Sequence, residues 1–204
     1  MSQRFEYFRQ LAAAYYSFLQ QVGDRWSSQS QLQAALDDYR EEAIATLQSL
    51  HRPDPPPQTP PEFVGLNTVG LLSDRLSILT IKEWCLRNQN QDEEKAQRLY
   101  KTQTLDIIAT LAQAPRAKSA LNSKLTRHQA DIHVPTWEAA IYELLAANIT
   151  IWKAQEALYC HDLESRGDRF KHYVRWFPQV NVRRDALIQA CETLYWLDTS
   201  SPLP

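Results

Sequence analysis

Apolar residues recur at steps of three and four along most of this chain, and that spacing restricts the fold more than any other feature of the sequence. The first two stripes are Phe5, Phe8, Ala12, Tyr15, Leu19 and Val22, then Leu32, Leu36, Tyr39, Ala43, Leu47 and Leu50. This spacing places apolar groups on one face of an α-helix. No segment alternates as a strand would, and the 204 residues include only four glycines, too few for a turn-rich β-sandwich. We predict an all-α, multi-helix bundle that begins with an antiparallel helical hairpin.

A proline cluster follows the hairpin. Six of the 11 prolines lie between Pro53 and Pro61, where they remove backbone donors and favour an extended chain. We therefore divide the chain into an N-terminal hairpin packed on the main domain (1–51), a proline-rich linker (52–62) and a helical bundle domain (63–204). The alternative for the linker is a ligand for an aromatic groove, because Pro53 and Pro56 have the PxxP spacing, as do Pro57 and Pro60.

The same apolar spacing predicts further helices after the linker. Thr136 is a typical N-cap residue, Pro115 is expected to end the helix before it, and Pro178 is expected to kink or split the last helix near Phe177. A less periodic stretch, 116–133, is predicted as a short helix and a loop. The predicted helices cover Leu66–Asn88, Asp92–Gln113, Thr136–Leu163 and Asp168–Leu197.

Charge and composition exclude several classes of function. The net charge of −2 and the isoelectric point near 6.2 provide no long-range attraction for nucleic acid. No apolar run is long enough for a membrane span and the N-terminus carries charge where a signal peptide is apolar, so we expect a cytoplasmic protein. The three cysteines, Cys85, Cys160 and Cys191, are widely spaced, which predicts free buried thiols.

Catalytic and metal-binding motifs are not found in the sequence. The five histidines show no HExxH spacing, and neither a glycine-rich phosphate loop nor a GxSxG elbow occurs. The acidic group Asp37, Asp38, Glu41 and Glu42 has no matching second acidic helix, so we interpret it as a solvated face. The sequence therefore predicts no catalytic residue, no metal site and no cofactor.

Three separated segments of the chain carry polar and apolar residues at characteristic spacings. They form the pattern Gly-x-x-x-Asp-Arg-Leu-Ser-Ile-Leu-x-Ile-Lys, then Asn-x-x-x-Trp, then Asn-x-x-Arg. The residues that carry it are Gly70, Asp74, Arg75, Leu76, Ser77, Ile78, Leu79, Ile81 and Lys82, then Asn148 and Trp152, then Asn181 and Arg184.

This pattern resembles the fingerprint of a family of small all-helical proteins of unknown function, whose genes tend to neighbour glycosyltransferase and polysaccharide genes. The resemblance covers Leu66 to Tyr195 and implies a helical fold. At three places where that family commonly has an acidic residue, this chain has Leu71, Gln155 and Val182. A reaction that used those carboxylates would be disabled here, so the departures favour a non-catalytic protein.

Two hypotheses fit the polar residues of this pattern. Asp74 and Lys82 lie eight residues apart, as do Asn148 and Glu156, so each pair is expected to share one side of a helix. In the structural hypothesis, Asp74 or Glu156 pairs with Arg184 or Lys82 while Asn148 and Asn181 bridge helices. In the ligand hypothesis, cationic side chains converge on an anion-accepting cleft for a phosphate or sugar-phosphate, with Trp152 as a stacking wall. The cations of that cleft would be Arg75, Lys82, Arg183 and Arg184.

The number of aromatic residues indicates a role in protein association. Trp176, Phe177, Tyr195 and Trp196, together with the aromatic first helix, are expected to leave an apolar surface unless the N-terminal hairpin packs over the C-terminal helix. We predict a non-enzymatic scaffold or interaction protein that binds a protein partner or forms a homo-oligomer. The alternative is a ligand-binding module or enzyme that acts on a phosphorylated sugar or nucleotide in glycan metabolism.

Overall fold

The computed structural model describes residues 2–54, 67–114, 132–160 and 167–197, without the side chains of 160 and 167–170. These residues form α-helices with no β-strand among them, so the prediction of an all-α, multi-helix fold is confirmed. The helices are α1 (Gln3–Val22), α2 (Gln29–Asp38), α3 (Arg40–Ser49), α4 (Val69–Asn88), α5 (Glu93–Leu99), α6 (Leu105–Gln113), α7 (Trp137–Cys160) and α8 (Gly167–Tyr195).

Side-chain oxygen atoms cap the start of most of these helices. Each cap accepts a backbone N–H three residues further along, which satisfies a donor that has no partner inside the helix. The capping residues are Ser2, Ser28, Thr68, Asp92 and Thr136. Thr68 fixes the start of α4 at Val69, three residues after the predicted start.

The second predicted helix is divided at Tyr39. This residue has φ −86° and ψ 0°, and it separates α2 from α3. Its N–H still donates to the Ala35 carbonyl, and its own carbonyl accepts from Ala43 N–H. Hydrogen bonding and apolar spacing both continue across the break at Tyr39. The apolar stripe therefore predicted one uninterrupted helix.

A π-helical turn at Tyr100–Thr104 joins α5 to α6, where we predicted one regular helix. Leu99 and Ile108 are nine residues apart, so in a regular helix they would point about 180° away from each other. Both side chains are buried, because the extra residue in the π turn rotates the second half of the helix back toward the core.

Pro178 lies inside the continuous helix α8. Of the two outcomes predicted near Phe177, the split is therefore wrong and the kink stays a prediction. A proline removes the N–H that would bond to the carbonyl four residues earlier, here the carbonyl of Val174. Val174 is 55% exposed, and water can satisfy that carbonyl at the surface.

The aromatic residues at the two ends of the chain meet in the core. Tyr195 and Trp196 are buried, and the ring of Tyr195 lies 5.8 Å from Phe8 and 4.9 Å from Trp137. The guanidinium of Arg4 lies over the same ring at 5.6 Å. Most of the aromatic surface expected from α1 and the C-terminus is therefore internal, because α1 packs over the end of α8.

Several predictions fall on residues outside the described ranges. These include most of the proline-rich linker, all but the last two residues of the helix and loop predicted for 116–133, and the end of the helix that includes Leu163. Within the described ranges, no helix combines the length and the apolar character that crossing a bilayer requires.

Gly70 sets the distance between α4 and α8. Its N–H donates to Oε2 of Glu192 at 2.9 Å, and an added Cβ would overlap the carbonyl oxygen of Ile188. One helical turn further along α4, Asp74 contacts Arg184, which lies one turn before Ile188. The two helices therefore run antiparallel, in a register that depends on the small size of Gly70.

We expect Gly70→Ala to lower the free energy of unfolding by about 1–3 kcal/mol, because the methyl group would press on backbone atoms that no side-chain rotation can move. Chemical denaturation measures this change. Arg75→Ala, at an exposed position of the same helix, is the matched control and should change stability by less than about 0.5 kcal/mol. Equal stability of Gly70→Ala and the wild type would contradict the close crossing.

Candidate functional site

Asp74, Asn148 and Arg184 meet at the junction of α4, α7 and α8. The guanidinium of Arg184 binds the Asp74 carboxylate in a bidentate manner, with Nε donating to Oδ1 at 2.7 Å and Nη2 to Oδ2 at 2.5 Å. The amide Nδ2 of Asn148 donates to Oδ1 of Asp74 at 2.9 Å and to Oγ of Ser77 at 2.7 Å. We call Asp74, Ser77, Asn148 and Arg184 the three-helix lock, because its bonds join three helices.

The lock lies at the edge of the core. Asp74 is 5% exposed and Asn148 is 4% exposed, whereas the side chain of Arg184 keeps 25% of its surface in contact with solvent. A buried carboxylate is tolerated only when its oxygens are bonded. Here the carboxylate is paired with a cation that can still reach water, which lowers the desolvation cost of the ion pair.

The helical periodicity brings Asp74 and Ser77 together. They are three residues apart on α4 and so face the same side of it, and the Ser77 hydroxyl donates to the Asp74 carbonyl at 2.8 Å. That bond leaves the Ser77 oxygen free to accept from Asn148. Ser77 thus bonds both to Asn148 of α7 and to the backbone of Asp74 in α4.

Other residues of the sequence pattern make no hydrogen bond to the lock. Arg75 and Lys82 are exposed, with no hydrogen bond or ion pair to another described residue. The prediction that Lys82 shares a face with Asp74 was wrong, because eight residues advance a helix by about 80° more than two full turns. Asn181 is partly buried and donates to the Phe177 carbonyl of its own helix at 2.9 Å. Of the cations assigned to the anion cleft, Arg184 pairs with Asp74 and Arg183 pairs with Glu143.

Trp152 and Glu156 form a separate cluster with the segment that follows α1. The Glu156 carboxylate accepts from the indole N–H of Trp152 and from that of Trp26, each at 3.0 Å. Lys153 Nζ lies 3.2 Å from the same carboxylate and 5.8 Å from the Trp26 ring. Trp152 therefore has its polar atom bonded to Glu156.

A third polar cluster, around Glu143, was not predicted from the sequence. The Glu143 carboxylate of α7 accepts from Arg40 Nε at 2.9 Å and from Arg183 Nη2 at 2.8 Å. Its side chain is 16% exposed, and the hydrogen bond to Glu143 is the main cause of the raised pKa of Arg40. The only signal in the sequence was a polar residue on an apolar helix, and a lone glutamate does not reveal its partners.

These residues border a cavity of about 320 Å³ between α2, α7 and α8. Its lining includes Asp37, Trp176 and Thr150 as well as the Glu143 cluster. Of the four residues assigned to the anion cleft, only Arg183 lines this cavity. We refer to it below as the Glu143 cavity.

The cysteines of the described core are poorly suited to nucleophilic chemistry. Burial raises the pKa of the Cys85 thiol to about 12 and raises the pKa of Cys191 well above its usual value. A thiol reacts as its thiolate, and burial suppresses that form. Within the described ranges, no group of three or more histidine, cysteine, aspartate or glutamate side chains is placed to hold a metal ion.

We expect Asp74→Ala to lower the free energy of unfolding by about 2–4 kcal/mol, because the substitution leaves Arg184 and Asn148 without their shared acceptor. Denaturant unfolding measures the change. Lys82→Ala, at an exposed position of the same helix, should have little effect. An Asp74→Ala protein with wild-type stability would show that the lock does not hold the three helices.

We expect Cys85 and Cys191 to resist alkylation in the native protein. At mildly alkaline pH, raising a thiol pKa from 9 to about 12 lowers the thiolate population about a thousandfold, in addition to the block on access. The measurement is the rate of reaction with a disulfide reagent in a Cys160→Ser variant, with and without denaturant. Rapid labelling of the native variant would contradict the burial of both thiols.

Comparisons of the chain with protein-family models, with curated proteins and with solved structures find no match. The resemblance to the helical family of unknown function therefore stays a prediction. The features of the structure that bear on function are the three polar clusters and the surface of α8.

Proposed function

We propose that this protein is a non-enzymatic helical scaffold that acts by associating with a second copy of itself. The observation that carries the proposal is the pairing inside the three-helix lock. Asp74 has both carboxylate oxygens bonded, and the amide of Asn148 is shared between Asp74 and Ser77. The carboxylate and the amide group are thus engaged in holding helices together, which favours the surface as the part of the protein that carries the function.

The surface that best fits this role lies on the N-terminal half of α8. Tyr173, Trp176 and Phe177 are partly buried, and their rings contact one another, with centroid distances of 5.1 Å for Trp176 and Phe177 and 6.1 Å for Tyr173 and Phe177. Val174 on the same helix is 55% exposed. We call these four residues the α8 aromatic segment. It is the part of the predicted aromatic surface that the core does not cover.

A second copy of the chain is the partner that this segment favours. Two identical helices that pair about a twofold axis bring the same apolar strip together from both sides, and twofold dimers are the commonest closed assemblies. Apolar side chains spaced at three and four residues can interdigitate across such a pair. Tyr159, at the end of α7, is 88% exposed and is a second large side chain in contact with solvent.

The alternative, a module or enzyme for a phosphorylated sugar or nucleotide, has less support. It needs cations with free donors at one place, to match the charge of a phosphate. Arg184 uses two donors for Asp74, and Arg75 and Lys82 are exposed to solvent. Trp152, the expected stacking wall, belongs to the Glu156 cluster.

Sedimentation velocity over a range of protein concentrations tests the proposal. We expect a monomer–dimer equilibrium, which Val174→Glu weakens by roughly tenfold or more, because dimerisation would bury an unpaired charge. Gln179→Glu introduces the same charge at another exposed position of α8 and is the matched control. A wild-type protein that stays monomeric at every concentration, or two variants with equal effects, would overturn association through this segment.

A further inference from the structure

The Glu143 cavity forms where α2 and α8 both pack against α7. The hydroxyl of Tyr173 on α8 donates to Oε1 of Gln29 on α2 at 3.3 Å, so the two outer helices are linked beside α7. Arg183 is 56% exposed on its side chain, which opens the cavity to solvent. A volume of about 320 Å³ corresponds to about ten water molecules, which is enough for a small organic ligand.

The polar lining has an excess of hydrogen-bond donors at one end. Arg183 uses Nη2 for Glu143, and Arg40 uses Nε for Glu143 and Nη1 for the exposed Glu41. A guanidinium has five N–H donors in a planar arrangement, so both arginines keep several donors that no described residue accepts. Glu143 pairs with both arginines and Glu41 with Arg40, so the two positive charges are balanced, but N–H donors remain unused at the cavity.

The opposite charge is supplied by Asp37. Its carboxylate accepts from the Gln33 amide at 3.1 Å, and no ion pair joins it to either arginine among the described residues. The four ionised groups of the lining sum to zero formal charge, with unused N–H donors on the arginines and an Asp37 carboxylate that has no ion pair to another described residue. A lining of this kind has little net attraction for a phosphate dianion and is matched by a ligand that carries both signs.

Apolar side chains lie in the same lining. Leu36, Trp176 and Val180 border the cavity together with the charged residues. An indole ring provides a large, rigid surface against which an apolar group can pack. The cavity therefore combines groups for a carboxylate, for an ammonium and for an apolar side chain.

We propose that the Glu143 cavity binds a zwitterion of amino-acid or dipeptide size. The ligand carboxylate accepts from the unused donors of Arg40 and Arg183, the ammonium pairs with Asp37, and the apolar side chain lies against Trp176. This site goes beyond the proposed self-association. The two share Trp176, which belongs to the α8 aromatic segment and also lines the cavity, whereas Val174 does not line it. Val174→Glu therefore tests self-association without changing the lining.

Isothermal titration calorimetry of the wild-type protein tests the ligand class without any mutation. The probes are the standard amino acids and leucyl-leucine, at millimolar concentration. The tightest binder is then compared with its own amide, which lacks the carboxylate, and with its N-acetyl form, which lacks the ammonium. We expect each blocked form to bind about tenfold more weakly or worse, because a charge-assisted hydrogen bond is lost.

Two variants assign the ends of the ligand to residues. Arg183→Gln should lower the affinity for the free amino acid about tenfold. This variant should bind the amide and the free acid with equal affinity. Asp37→Asn should bind the N-acetyl form and the free amine with equal affinity. Arg75→Gln, at an exposed arginine outside the cavity, is the control and should leave affinity unchanged. Melting temperatures without ligand show whether each variant keeps its fold.

Three results would overturn the proposal. One is the absence of binding by every amino acid and by the dipeptide at millimolar concentration. Another is equal binding of the blocked and free forms by the wild type. The third is binding of a neutral sugar or of inorganic phosphate, offered as competing probes, in preference to the zwitterion.

Discussion

The ion pair between Asp74 and Arg184 is the contact on which the arrangement of α4, α7 and α8 depends. A buried carboxylate without a partner is costly, so packings that separate Asp74 from its donors are disfavoured. A hydrophobic contact has no such requirement, since apolar side chains can slide past one another at little cost. The bidentate geometry and the added bond from Asn148 therefore select one register among several that the apolar faces would permit. We infer that the lock contributes specificity of packing at least as much as stability.

Gly70 and Asp74 act together in setting that register. Gly70 permits backbone contact between α4 and α8, and Asp74 lies one turn along the same face, opposite Arg184. Polar residues at three points along α7 each belong to a different cluster. Glu143 faces the arginines of α3 and α8, Asn148 joins the lock, and Glu156 binds two indoles. One helix thus supplies a polar residue to each of the three clusters.

The three clusters differ in how many hydrogen-bond donors and acceptors remain without a partner. In the lock, the carboxylate and the amide are occupied by one another, and the same holds for Glu156 and its two indoles. Around the Glu143 cavity, the arginines keep donors and Asp37 keeps acceptors beside a solvent-accessible volume. That difference separates groups that organise the fold from groups that can bind a ligand. The α8 aromatic segment adds a surface where association can occur without disturbing the lock.

The amino-acid sequence by itself determined the helical class, because apolar spacing of three and four residues is set by local geometry and needs no tertiary contact. It also marked Asp74, Asn148 and Arg184, since polar residues on apolar helix faces must find partners. It did not reveal the break at Tyr39, where hydrogen bonding continues, or the partners of Glu143, which come from residues 40 and 183. Only the tertiary structure decided these points, because charges distant in the chain meet through helix packing, and helix packing follows from all the apolar faces together.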